Sequence, residues 1–198
     1  MPASLINSLG THLTPIFIIS LFGPVIGGLY ALTHRVLTVP VSFIGVSISQ
    51  AYLSRAPELY RINPKMLTKS YLKISGYLVF ATIPIILISL FGEDVFRLVF
   101  GEEWKEAGEY LKALVFLYIG QVVVAPLSQT LNIINKNQIQ LLWDCLRLLV
   151  VLIIFLVITP WMDFMPLQTM YLYSISMFLL YVLLFLTTLF ILLNSEKK

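Results

Sequence analysis

Charge is scarce in this sequence and cysteine is almost absent. Of 198 residues, 12% are charged and 59% are hydrophobic, and the mean hydropathy is +0.91. Soluble domains carry about 25% charged residues, so composition argues against a soluble enzyme, a disordered chain and a nucleic-acid binder. The excess of 13 basic over 10 acidic residues reflects loop placement more than affinity for polyanions. The single cysteine, Cys145, cannot close an internal disulfide, and no metal set can be built around it. No Lys or Arg precedes Arg35. The start therefore lacks the charged n-region of a secretory signal peptide and the basic flank usual before a first span. We read the chain as the C-terminal portion of a longer protein; a short natural reading frame is the alternative. Also missing are a Gly-x-Ser-x-Gly elbow, a His-Glu-x-x-His pair, a P-loop, a Gly-Tyr-Gly filter and an Arg-x-x-Arg repeat. No catalytic residue, metal or cofactor is assigned.

Long apolar runs are what the chain has in abundance. They cover about 3–22, 28–53, 72–92, 108–133, 139–159 and 167–193. Six membrane-spanning helices need roughly 120 apolar-dominated positions, close to the hydrophobic share here. The sequence predicts an all-α integral membrane protein, residues 1–198 forming one six-helix domain. Pro24 with Gly27-Gly28, Asn63-Pro64, Gly92 and Gly101, Asn135-Lys136-Asn137, and Pro160 with Pro166 punctuate the runs.

Loop charge sets the expected orientation. The 54–73 connector holds Arg55, Arg61, Lys65, Lys69 and Lys73, whereas the 93–112 connector holds six acids against three bases. Lys136 lies in the fourth turn, and Lys197 and Lys198 end the chain. All agree if both termini are cytoplasmic. Both long connectors read as interfacial. Lys65, Lys69 and Lys73 recur every four residues as one cationic face, suited either to a helix lying on the anionic inner leaflet or to a solvated helix that enforces topology.

Three spans carry a continuous polar or small stripe at helical spacing. The first has Ser4, Asn7, Thr11 and Thr14, with His12 and Pro15 alongside. The second has Arg35, Thr38, Ser42, Gly45, Ser49 and Tyr52, and the fourth has Gln121, Ala125, Ser128, Asn132 and Asn135. The last two spans are apolar enough to face lipid. Polar groups that meet only lipid are costly, so the stripes face a cavity or another helix. Packing alone suits Ser42, Gly45, Thr82 and Ser89. Arg35, roughly two turns into its span beside His34, needs water, an anion or a counter-charge unless it snorkels to the outer interface. Asp144 and Arg147 read as an interfacial ion pair in preference to a proton relay. His12 has no partner visible in sequence. The candidate cavity residues are Arg35, Asn7, Thr11, Thr38, Ser42, Ser49, Gln121, Ser128 and Asn132.

The run Phe22-Gly23-Pro24-Val25-Ile26-Gly27-Gly28-Leu29-Tyr30-Ala31-Leu32, continuing through Arg35-Val36-Leu37 to Pro40, resembles the Gly-x-Tyr-x-Leu-x-x-Arg…Pro region of bacterial polysaccharide flippases. Ser49-Gln50 with Arg55-Ala56 is similar to the same family. So is Leu98-Val99-Phe100-Gly101-Glu102-Glu103-Trp104-Lys105-Glu106-Ala107-Gly108, and Pro126-Leu127-Ser128-Gln129-Thr130-Leu131 continues the match in order. The resemblance implies the multidrug/oligosaccharidyl-lipid/polysaccharide exporter fold, two six-helix lobes around a central cavity, of which this chain resembles only the second. It implies movement of undecaprenyl-pyrophosphate-linked oligosaccharide across the bacterial inner membrane. The expected partners are that lipid-linked oligosaccharide, membrane lipids, and either a missing N-terminal lobe or a second copy; no nucleic acid is expected. In the matched motif Arg35 takes the place of the family Arg. A non-transporting lobe that only pairs with a partner, or a membrane glycan polymerase or ligase, is the alternative.

Overall fold

The computed structural model describes the backbone of residues 2–196 and the side chains of residues 13–196. The described residues are helices and short turns, with no strand, as an all-α membrane protein requires. Lipid offers no hydrogen bonds, and a helix satisfies its own backbone. Five stretches are long and apolar enough to cross a membrane: Leu13–Ile62, Pro64–Leu90, Glu102–Ile133, Asn137–Trp161 and Pro166–Ser195.

The first of these folds back on itself. The helical segment Pro2–Ile62 is interrupted at Gly23, whose φ of 86° and ψ of 173° lie where only glycine sits without strain. A Cβ built on Gly27 would overlap the Ile19 side chain. Eight residues of straight helix would hold these positions about 12 Å apart, so the two arms must run antiparallel. The arms are α1 (2–22) and α2 (24–62), and Pro24 opens α2, where its missing N–H costs nothing. The six expected crossings are thus present as helical arms, but the first turn is one residue rather than a loop ending at Gly28.

The second connector differs more from expectation. Helix α2 runs to Ile62, a single residue, Asn63, makes the corner, and its side chain accepts from the Lys65 N–H at 2.9 Å. Helix α3 (Pro64–Ala81) starts at once and leads through Thr82 into α4 (Ile83–Leu90). Lys65, Lys69 and Lys73 therefore occupy the first turns of the third crossing and not a separate surface helix. At 39 residues, α2 is about 58 Å long, nearly twice the ~30 Å hydrocarbon thickness. Its excess length carries the basic corner clear of lipid, which is why charge could appear there without a loop.

On the opposite side, α5 (Gly92–Phe100) is a short amphipathic helix. It buries Phe96 against the helix bundle while Phe91, Leu98 and Val99 remain 60%, 87% and 64% exposed. Apolar residues facing outward beside Glu93, Asp94 and Arg97 suit the membrane interface.

Helix α6 (Lys105–Val124) is the hub. Its span is 61% buried, against 28% for each of the other four. A short helix, α7 (Thr130–Ile133), and a turn lead to α8 (Asn137–Ile153), which continues through a π-helical turn to Trp161; α9 (Pro166–Ser195) closes the bundle. Within lipid, packing and interhelical hydrogen bonds must replace the hydrophobic drive. Thr33 on α2 donates to Ala107 O at 2.9 Å, Tyr52 pairs with Thr130 at 2.8 Å, and Trp143 Nε1 donates to Leu180 O at 2.9 Å. The last helix is not only a lipid-facing cover. It packs Tyr173, Met177, Tyr181 and Leu184 inward and exposes Leu179, Leu183, Leu186 and Phe190.

Candidate functional site

The exposed face of α2 repeats every three or four residues, so the polar groups it carries share one side of the bundle. Arg35, Ser42 and Gln50 are exposed on it, interleaved with the exposed apolar Val39, Phe43 and Val46, and Ser49 is half-buried. Arg35 and Ser42 are seven residues apart, two turns along the same face and about 10 Å.

Beside this line lies an open groove of about 300 Å³ between α2 and α6. Ser42, Gly45, Ser49 and Gln50 with Val41 and Val46 form one wall, and Gln121, Ala125 and Pro126 form the other. The Ser42 hydroxyl donates to Val39 O at 2.8 Å, which leaves its lone pairs to the groove. Two stripes read separately from sequence, on α2 and on α6, thus meet across one recess. Gln50 belongs to it as well; its place next to Ser49 on the striped helix was the available signal.

The other candidates are placed differently. Thr38 turns inward, where its hydroxyl bonds Tyr118 at 2.9 Å and His34 Nδ1 at 3.2 Å. Ser128 donates to Ala125 O at 2.8 Å, and Asn132, which is exposed, bonds Gln129. Asn7 and Thr11 lie outside the residues whose side chains are described, as do Ser4 and His12. Arg147 lies with its guanidinium 5.3 Å from the Trp143 ring. Asp144 is buried, and its Oδ1 has no hydrogen-bond partner.

A polar cluster that the stripes revealed only at Thr38 and Gln121 fills the middle of the bundle. Tyr30, His34 and Thr38 repeat at four-residue spacing on the inner face of α2, and they meet Tyr118, Tyr173 and Tyr181 around a cleft of about 80 Å³. The Tyr118 hydroxyl donates to His34 O at 3.4 Å, and Thr14 donates to the Tyr173 hydroxyl at 3.5 Å. Gln121 and the cationic Arg147 line it as well; so small a space holds water at most, and the Tyr118 hydroxyl is already paired with Thr38. The spacing of Tyr30, His34 and Thr38 was the legible sign of this second face. Among the described residues, no group of His, Cys, Asp and Glu is placed to hold a metal ion.

Fold and groove together define a multi-span α-helical membrane protein whose long second helix keeps Arg35, Ser42 and Gln50 uncovered. A family model described as "Polysaccharide biosynthesis protein" matches residues 1–109, more than half of the 198-residue chain. The chain belongs to this family. The matched segment includes the α2 wall of the groove and ends before the α6 wall. No curated protein and no solved structure matches the chain.

Proposed function

We propose that this chain is one lobe of a flippase that carries polyprenyl-pyrophosphate-linked oligosaccharide across the bacterial inner membrane, with both termini cytoplasmic. The single observation that carries the reading is that polar groups, a cation among them, stay uncovered on α2. Arg35, Ser42 and Gln50 are exposed, although α2 is flanked by apolar helices. Left against lipid, such groups cost free energy. A facing lobe with a polar cavity between them removes that cost, and a second copy of this chain would do so too. The anionic pyrophosphate then meets the Arg35 guanidinium, hydroxyls and amides of the groove meet sugar, and the polyprenyl tail stays in lipid. Rocking of the two lobes exposes the cavity to each side in turn. No bond is made or broken, so the protein acts as a transporter and not as an enzyme. Membership of a polysaccharide biosynthesis family and the basic-against-acidic loop pattern support the same reading.

The test is export of surface glycan in the host. Deleting the gene should abolish surface glycan and leave its lipid-linked precursor at the cytoplasmic face. Restored Arg35→Lys should recover part of the export, because charge survives without the bidentate fork; Arg35→Gln should recover far less at equal membrane abundance. Normal export with Arg35→Gln would remove the residue from the site. Unchanged glycan after deletion would overturn the function.

A further inference from the structure

A second recess lies on the other side of α2. It measures about 680 Å³ between α2 and α3, on the side of the basic corner. Arg55, Ser54, Ser70 and Lys73 give it polar groups, and Ile48 with Ile74 gives it an apolar wall. The two helices run antiparallel from Asn63. Arg55 comes eight residues before that corner and Lys73 ten after it, which sets both about 12–15 Å from it. The two cations are therefore level with each other on facing helices.

Neither cation is in an ion pair among the described residues. Lys73 has only the Tyr77 ring, with Nζ 6.0 Å from its centre. Like charges lining one recess repel unless an anion lies between them. Arg55 lies about 46 Å along α2 from Pro24 and a bilayer with its headgroups is about 40–45 Å thick, so with the Gly23 end at one face Arg55 is level with the headgroups of the other. A cationic rim over an apolar wall matches an anionic head joined to an acyl chain. At 100° per residue the recess lies roughly 140° around α2 from the groove between α2 and α6, so an occupant here is not cargo in that groove.

We propose that the recess between α2 and α3 binds an anionic glycerophospholipid. Arg55 and Lys73 hold the phosphodiester oxygens, the Ser70 hydroxyl adds a donor, and one acyl chain lies along Ile48 and Ile74. The lipid ties the two helices together on the basic side, where only Asn63 joins them covalently.

Native mass spectrometry of the full chain in detergent, titrated with palmitoyl-oleoyl phosphatidylglycerol or phosphatidylcholine, reads this directly. The wild type should retain the glycerol lipid severalfold more than the choline lipid. Arg55→Gln with Lys73→Gln should lose that preference. Arg61→Gln with Lys65→Gln, which removes the same charge outside the recess, should keep it. Arg55→Lys with Lys73→Arg should also keep it. If the double glutamine variant does not fold, Ser70→Phe fills the recess with both charges intact and should lower retention alike. Equal retention of the two lipids by the wild type overturns the proposal, as does equal loss in the two double glutamine variants. So does displacement by inorganic phosphate as readily as by phosphatidylglycerol, since the acyl chain would then add nothing. No arm measures glycan export, so either reading can fail while the other stands.

Discussion

Alanine at Gly108 tests how closely α5 rests on the hub. A Cβ on Gly92 would lie 2.7 Å from Gly108 O, where ordinary contact begins at 3.4 Å, and a Cβ on Gly108 would overlap the backbone of Gly92 and Glu93. Backbone cannot rotate aside as a side chain can, so α5 must lift by about 0.7 Å for Gly92→Ala and by more for Gly108→Ala. Lifting it withdraws Phe96, which is fully buried, and a gap of 0.5–1 Å forfeits about a quarter to a half of each contact's attraction. Overpacking costs about 1–3 kcal/mol. Gly92→Ala should fall near the lower end and Gly108→Ala near the upper. The double variant should cost less than the two together, because one displacement relieves both clashes. The control is Gly76→Ala, where no atom lies within 4 Å of the new Cβ; better helix propensity, worth up to about 1 kcal/mol, should leave it neutral or stabilised. Unfolding by dodecyl sulfate added to dodecyl maltoside micelles, followed by tryptophan fluorescence, measures the four variants against the wild type. Gly108→Ala within about 0.5 kcal/mol of wild type, the range of an ordinary surface change, would show that the two backbones do not meet there.

The ion pair between Lys112 and Glu93 gives a pH test. The hydrogen bond from Lys112, and then its charge, hold the Glu93 carboxyl below its ordinary value of 4.5. A depressed carboxyl stabilises the fold above its ordinary value and stops doing so as pH falls through the lower one. The melting temperature in micelles should therefore drop below about pH 4.5 more steeply in wild type than in Lys112→Met; parallel curves would refute the linkage. Orientation is tested with single cysteines at Lys69 and at Glu103, both exposed, in a Cys145→Ser background. An impermeant thiol reagent applied to intact cells should label position 103 and spare position 69, and the reverse pattern would invert the topology.

Hydrophobicity made the membrane class and the six apolar runs legible, and connector charge made the basic and acidic ends legible. Each crossing needs its own run of apolar residues, and a charged residue in a connector announces itself locally. The polar walls of the groove were legible in part. Ser42, Gly45, Ser49 and Gln121 repeat at helical spacing, and periodicity reports which residues share a face of one helix. It does not report what that face meets. Thr38 belongs to the same sequence stripe as Ser42, yet about 40° around the helix decides that it bonds Tyr118 inside the bundle while Ser42 borders the open groove. The interior cluster of Tyr30, His34, Tyr118 and Tyr173 joins residues from three helices, so no single window of sequence contains it.

Connector geometry was likewise a tertiary matter. Composition marked 54–73 as basic, but whether those residues form a loop, a surface helix or the ends of two long helices depends on how far α2 and α3 pack together, and they pack as far as a one-residue corner at Asn63. At the Gly23 hairpin the glycine was visible in sequence. That the chain reverses on this residue alone was set by the contact between Ile19 and Gly27, which exists only once the two arms lie side by side.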